Sequence, residues 1–115
     1  EAFAATSWLE TPDDSQDENT CFHLYVVRMD WSAIGRTRKE TMDDLRACGI
    51  GTQVLYIPVH TQPYYREHYG YRVGDFPKAV AYYQRALALP LYPAMTDADQ
   101  DRVIHAVYSL VKDGQ

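Results

Sequence analysis

The side chains able to do chemistry are scattered along this sequence, and each set has a plainer structural use beside the chemical one. His60, Glu67 and His68 could share a metal, but they fall in an irregular stretch without the helical pair spacing of zinc ligands. Asp97, Asp99 and Asp101 alternate as in a calcium loop, yet the turn glycine and closing glutamate are missing. Acids at the start of a helix favour its positive end instead. Gly49-Ile50-Gly51 is too short for a dinucleotide fingerprint and follows a helical stretch rather than opening one. Ser7, Ser15, Ser32 and Ser109 have no nucleophile-elbow motif around them. Cys21 and Cys48 lack CxxC or metal-ligand spacing and read as reduced, partly buried thiols. That leaves His60, beside a tyrosine cluster, as a ligand contact or proton handler, with a packing role as its competitor.

The tyrosines are the unusual feature. There are ten, and eight of them lie between Tyr56 and Tyr92. Each couples a large apolar area to a polar tip, so a dense cluster marks a surface half covered by something else. The remaining composition is ordinary: 115 residues, 46% apolar and 23% charged, one domain's worth of soluble globular chain. A chain of this length buries roughly two-thirds of its unfolded surface, so one core suffices without disulfides. Eleven basic residues against sixteen acidic ones give a net charge of -5, which disfavours a phosphate backbone as ligand. No apolar run approaches the ~20 residues needed to cross a bilayer, and no signal segment opens the chain. The expectation is a cytoplasmic protein that binds neither nucleic acid nor membrane.

The elements that must position these residues follow from local pattern. Residues 1–9 run through Phe3, Ala4, Ala5, Trp8 and Leu9 and read as the end of a helix begun upstream, stopped by Thr11-Pro12. Residues 10–20 form an acidic loop. Residues 21–29, rich in β-branched and aromatic types, read as a strand. Thr37 caps a helix to Cys48 with Glu40 completing a capping box, an inner face of Met42, Leu45 and Cys48, and Gly49 after its end. Thr52–Ile57 reads as a second strand ended by Pro58. Residues 61–76 read as an excursion with at most a turn of helix. Pro77 opens a helix to about Leu87, with Val80, Tyr83 and Leu87 inward, and Leu89–Pro93 is extended. Thr96 caps a last helix to about Lys112, with Val103, Ile104, Val107, Tyr108 and Val111 in helical register. This order predicts an α+β domain, a small antiparallel or mixed sheet with helices packed on it.

Two long stretches carry a resemblance. GIGTQVLYIPVHTQPYYR at 49–66 and LPLYPAMTDADQDRVIHAV at 89–107, with the strand HLYVVRMD at 23–30, resemble the C-terminal segment of the DegT/DnrJ/EryC1/StrS family of nucleotide-sugar aminotransferases. The aromatic-rich loop after Pro58-Val59-His60 is most similar to members acting on UDP-linked 4-keto-6-deoxy amino sugars. The resemblance implies a small C-terminal domain of the aspartate-aminotransferase fold type over 21–115, with 1–20 as the end of an interdomain helix and an acidic loop. It further implies a pyridoxal-phosphate enzyme that moves an amino group from glutamate to a nucleotide-linked keto sugar, commonly between two subunits of a homodimer.

On this reading the chain is the smaller part of such an enzyme, lacking its large domain, and carries no cofactor site of its own. Lys39, Lys78 and Lys112 each have an acid close in sequence, Glu40, Asp75 and Asp113, which favours the charged ammonium over a reactive amine. None matches the family's cofactor lysine, so the chain alone is expected to be inactive. Tyr56, His60 and Tyr65 match family positions and are the expected substrate contacts. Leu55 departs, standing where the family has a histidine able to reach the sugar nucleotide. Two rival readings stand beside this one. One is a free-standing module whose tyrosine-rich loop holds a sugar nucleotide or a protein; the other is a small enzyme using His60 and a tyrosine as acid and base.

Overall fold

The computed structural model describes residues 2–13, 15 and 19–111. Its central strand is β2, Tyr25–Met29, flanked antiparallel by β1, Leu9–Glu10, and β3, Ala86–Leu89. Leu9 faces Met29 across one ladder, and Val27 faces Leu87 across the other. Four helices complete the domain: α1 Arg38–Ala47, α2 Pro63–Tyr69, α3 Pro77–Arg85 and α4 Asp97–Tyr108. The inward residues Val27 and Met29 of β2 meet Leu87 and Leu89 of β3, Leu45 of α1, and Val103 and Val107 of α4 in one buried cluster. The expected α+β class holds, with an antiparallel sheet.

Local chemistry sets most element ends. Thr37 accepts from the Glu40 backbone N–H while the Glu40 carboxylate accepts from the Thr37 N–H, a reciprocal box. Thr96 and Asp99 repeat this device at α4, and these hydrogen bonds hold the Asp99 carboxyl below its usual range. Gly49, at φ 78°, follows α1 in the left-handed region that a side chain disfavours.

Four expectations are corrected, each because a distant partner outweighs local pattern. The stretch read as helix over 1–9 is a turn around Phe3 followed by β1. The Thr6 hydroxyl donates to the Phe3 carbonyl at 2.8 Å, a side-chain bond that competes with helix, and Leu9 is claimed by Met29 of β2. The strand read over 52–57 reduces to a single bridge, Gln53 to Ala88. Continuing that register would set Ile57 against Gln84, which lies in α3, so the ladder could not extend that far. Ala86 and Leu87, read as the end of a helix, instead open β3, which is buried at every position although alanine and leucine favour helix; Leu89, read as extended, closes that strand. On α1 the buried face is Thr41 and Leu45, rotated from Met42, Leu45 and Cys48, and both cysteines are exposed. Of the helix expected to reach Lys112, α4 accounts for residues to Tyr108, and Lys112 lies outside the described residues.

A second, polar network ties the edges. Glu10 of β1 accepts from Arg28 of β2 at 2.7 Å and from Arg85 at the end of α3 at 2.6 Å, while Arg85 also donates to the Met29 carbonyl. The hydrogen bond from Arg85, helped by the Arg28 charge, holds the Glu10 carboxyl below its ordinary value of 4.5. A folded-state value below the unfolded one means this stabilisation is present above pH 4.5 and lost as pH falls through the folded-state value. The difference in urea midpoint between wild type and Glu10→Gln should therefore be constant near neutrality and shrink toward zero in acid. A gap that widens in acid would reverse the assignment.

Thr41 is fully buried, and its hydroxyl has no hydrogen-bond partner among the described residues. An unpaired buried hydroxyl opposes folding, and replacing it by a methyl of the same shape removes that cost. Thr41→Val should raise stability by about 1 kcal/mol, seen as a melting temperature higher by about 4 °C. A fall instead would mean that the hydroxyl is satisfied in solution.

Candidate functional site

Between the Gln53 bridge and α3 the chain leaves the body and returns. The start and end of each piece of this arm are legible in its residues. Pro58 precedes a 3-10 turn, Val59–Thr61, and Pro63 occupies the first turn of α2, where a missing N–H costs nothing. Gly70 at φ 68° ends α2, and its N–H donates to the Arg66 carbonyl. Arg72 and Asp75 frame a second 3-10 turn, and Pro77 opens α3. The excursion expected over 61–76 is thus present, with more helix than the expected single turn.

The arm carries a ladder of rings. His60 lies 4.8 Å from Phe76, Phe76 meets Tyr71 edge-on at 5.4 Å, and Tyr71 stacks on Tyr69 at 5.9 Å and 15°. Tyr69 stacks in turn on Tyr65 at 6.0 Å. Such contacts stabilise beyond the area they bury. The far faces stay open: Tyr65 is 37% exposed and Tyr69 60%.

The three residues singled out from sequence take different places. His60 is 7% exposed, and its Nε2 donates to the Val73 carbonyl at 3.0 Å. Tyr65 sits farther along the string of rings that begins at His60, and Tyr64 meets it edge-on at 5.3 Å. Tyr56, 68% exposed, forms no ring contact or side-chain hydrogen bond among the described residues. Leu55 beside it is half-buried. Phe76, Tyr69 and Tyr71 join His60 to Tyr65 and were not singled out from sequence; the signal available was the tyrosine density itself.

Other candidate chemistry is not assembled. Among the described residues no group of three His, Cys, Asp or Glu side chains could hold a metal. His68 stacks on Tyr64 at 4.2 Å, and its Nδ1 lies 3.0 Å from the Tyr64 carbonyl. A cleft of about 360 Å³ between Phe3, Leu89, Tyr92, Met95 and Val103 is apolar and distinct from the arm. No described helix is long and apolar enough to cross a membrane.

The geometry is that of a small α+β body bearing an aromatic arm. The family model for DegT/DnrJ/EryC1/StrS aminotransferases matches residues 1–108. The chain belongs to that family. It is 46% identical over 112 residues to the spore coat polysaccharide biosynthesis protein SpsC of Bacillus subtilis (strain 168), covering 96% of this chain and 29% of that protein. It is 32% identical over 101 residues to the UDP-4-amino-4-deoxy-L-arabinose–oxoglutarate aminotransferase of Shewanella sediminis, covering 84% of this chain and 26% of the relative. The crystal structure of DesV from S. venezuelae, solved with a ketimine intermediate, superposes with a TM-score of 0.82 at 28% identity over 99% of this chain and 29% of its own. The chain thus spans under a third of the length of these relatives.

A pyridoxal cofactor, which the family implies, does not fit the residues described. It needs an amine able to shed its proton, with a carboxylate for the pyridine nitrogen. Lys39 donates to Asp43 at 2.6 Å, and that bond holds its ammonium above the usual range, away from reactivity. Lys78 is exposed in the first turn of α3, and Lys112 lies outside the described residues. Incubation of the 115-residue chain with pyridoxal phosphate, followed by borohydride reduction, should leave scattered substoichiometric labelling. A stoichiometric adduct on one lysine would show a cofactor site in this chain.

Proposed function

We propose that this chain is the C-terminal part of a nucleotide-sugar aminotransferase that transfers an amino group from glutamate to a nucleotide-linked keto sugar. The observation that carries the reading is the family match over residues 1–108 in a chain covering less than a third of its relatives. In this reading the cofactor lysine and its carboxylate partner belong to the larger domain, and the present chain is inactive alone. A homodimer in the cytoplasm is the assembly proposed, with residues 21–115 as the bulk of the small domain and β1 of the 1–20 stretch completing its sheet.

Surface area supports the need for further protein. The chain exposes 8354 Å², against about 6,400 Å² for a self-contained globular chain of 13.2 kDa. Its radius of gyration is 15.9 Å, against about 13 Å expected. The surplus includes the arm, whose tyrosines would otherwise face water. Tyr56 and Tyr65 are the proposed contacts to the sugar nucleotide, offering ring faces to a base or sugar and hydroxyls to its polar groups. Leu55 takes the place of a polar contact, so the substrate must be held by other groups. No step of the reaction is assigned to residues of this chain.

The test uses the longer protein encoded with this chain, assayed as two half-reactions. Tyr65→Ala should raise KM for the keto sugar nucleotide about tenfold, the worth of one ring contact, and leave the glutamate half-reaction unchanged. Tyr56→Phe should do the same to a smaller extent. A longer protein without transaminase activity, or variants that slow both halves alike, would reject the reading.

A further inference from the structure

His60 is the only buried residue between Gly51 and Arg85, all of them described positions. A buried residue inside so long an exposed stretch is doing something for that stretch. Its Nε2–H reaches the carbonyl of Val73, thirteen residues on, and its ring lies against Phe76. One side chain therefore joins the outgoing limb of the arm, at the 3-10 turn Val59–Thr61, to the returning limb at Val73–Phe76.

We propose that His60 is a positioning residue that closes the arm at its base and sets the orientation of its tyrosine face. The argument is one of chain entropy and packing. The body already ties the arm near Gln53 and at α3; the His60–Val73 bond moves the closure to the arm's own root and leaves a shorter loop to order. From Phe76 the ring contacts then pass order outward through Tyr71 and Tyr69 to Tyr65. Histidine suits the task because one planar side chain supplies both a donor for a carbonyl and a face for a ring. Alanine supplies neither, glutamine supplies the donor alone, and leucine at 76 removes the facing ring. In the function proposed above the face so held carries Tyr65; the joint itself belongs to this chain, and testing it needs no substrate.

The experiment is amide hydrogen exchange on the 115-residue chain, wild type against His60→Ala, His60→Gln and Phe76→Leu, with near-ultraviolet circular dichroism of the tyrosines. In His60→Ala, amides of residues 63–72 should exchange about tenfold faster while those of β2, β3 and α4 keep wild-type rates. The tyrosine dichroism should fall. His60→Gln should lie between wild type and His60→Ala in both measurements. The double change His60→Ala with Phe76→Leu should be no worse than the worse single change, since both break one joint. Unchanged arm exchange in His60→Ala overturns the proposal. So does acceleration of the core amides by the same factor as the arm, which would make His60 a support of the whole fold. Should His60→Ala not fold, His60→Gln and Phe76→Leu are judged by the same criterion.

Discussion

The fold depends on the antiparallel pairing of β2 with β3. Val27 opposite Leu87 and Tyr25 opposite Leu89 bring together two segments about sixty residues apart in sequence. The inward side chains of both strands form the floor on which Leu45 of α1 and Val103 and Val107 of α4 rest. Because α3 runs directly into β3, this pairing also fixes where α3 ends. Two further bonds secure that junction: the Trp31 indole N–H donates to the Gln84 carbonyl at 2.7 Å, and Arg85 reaches Met29 and Glu10. The Arg38 guanidinium adds a contact from α1, lying 4.8 Å over the Tyr83 ring.

Body and arm are held by different physics. The body is an apolar cluster closed by main-chain ladders, and burial of its aliphatic side chains supplies the driving force. The arm has no comparable cluster. Its order comes from prolines and a left-handed glycine that restrict the backbone, from 3-10 turns, and from a string of ring contacts anchored at one buried histidine. An element built this way offers large, adaptable, half-polar surface, which suits recognition of a ring-shaped polar ligand or of another protein surface. Membership of an aminotransferase family, in a chain under a third of its relatives' length, accounts for a body that folds around its own core while its arm faces outward.

Much of this was legible from residues alone, and the legible part has a common character. The capping box of Thr37 and Glu40, the Thr96 cap, the glycine after α1 and the helix start at Pro77 all act within a few residues of themselves. So do the β-branched run of β2 and the helical register of Val103 and Val107. The density of tyrosine marked the arm as a surface in need of a partner, and two sequence stretches marked the family. What failed was everything whose outcome rests on a distant segment. Leu9 is strand because Met29 lies beside it, and Ala86 and Leu87 are strand because β2 offers an open edge, against the helical preference of alanine and leucine. Thr52–Ile57 has strand character but a single bridging position, Gln53 to Ala88, and toward Ile57 the chain opposite is α3.

The same division runs through the candidate site. Sequence by itself placed His60, Tyr56 and Tyr65 in one tyrosine-rich stretch of a chain that bears the marks of its family. Tertiary structure alone decided that His60 turns inward to Val73 and Phe76 while the two tyrosines turn outward. Caps, prolines and glycines act through bonds within one turn of chain, so they can be read in place. Burial and ring stacking depend on which residues the fold brings within a few ångströms, and the carbonyl that holds His60 lies thirteen positions on in sequence.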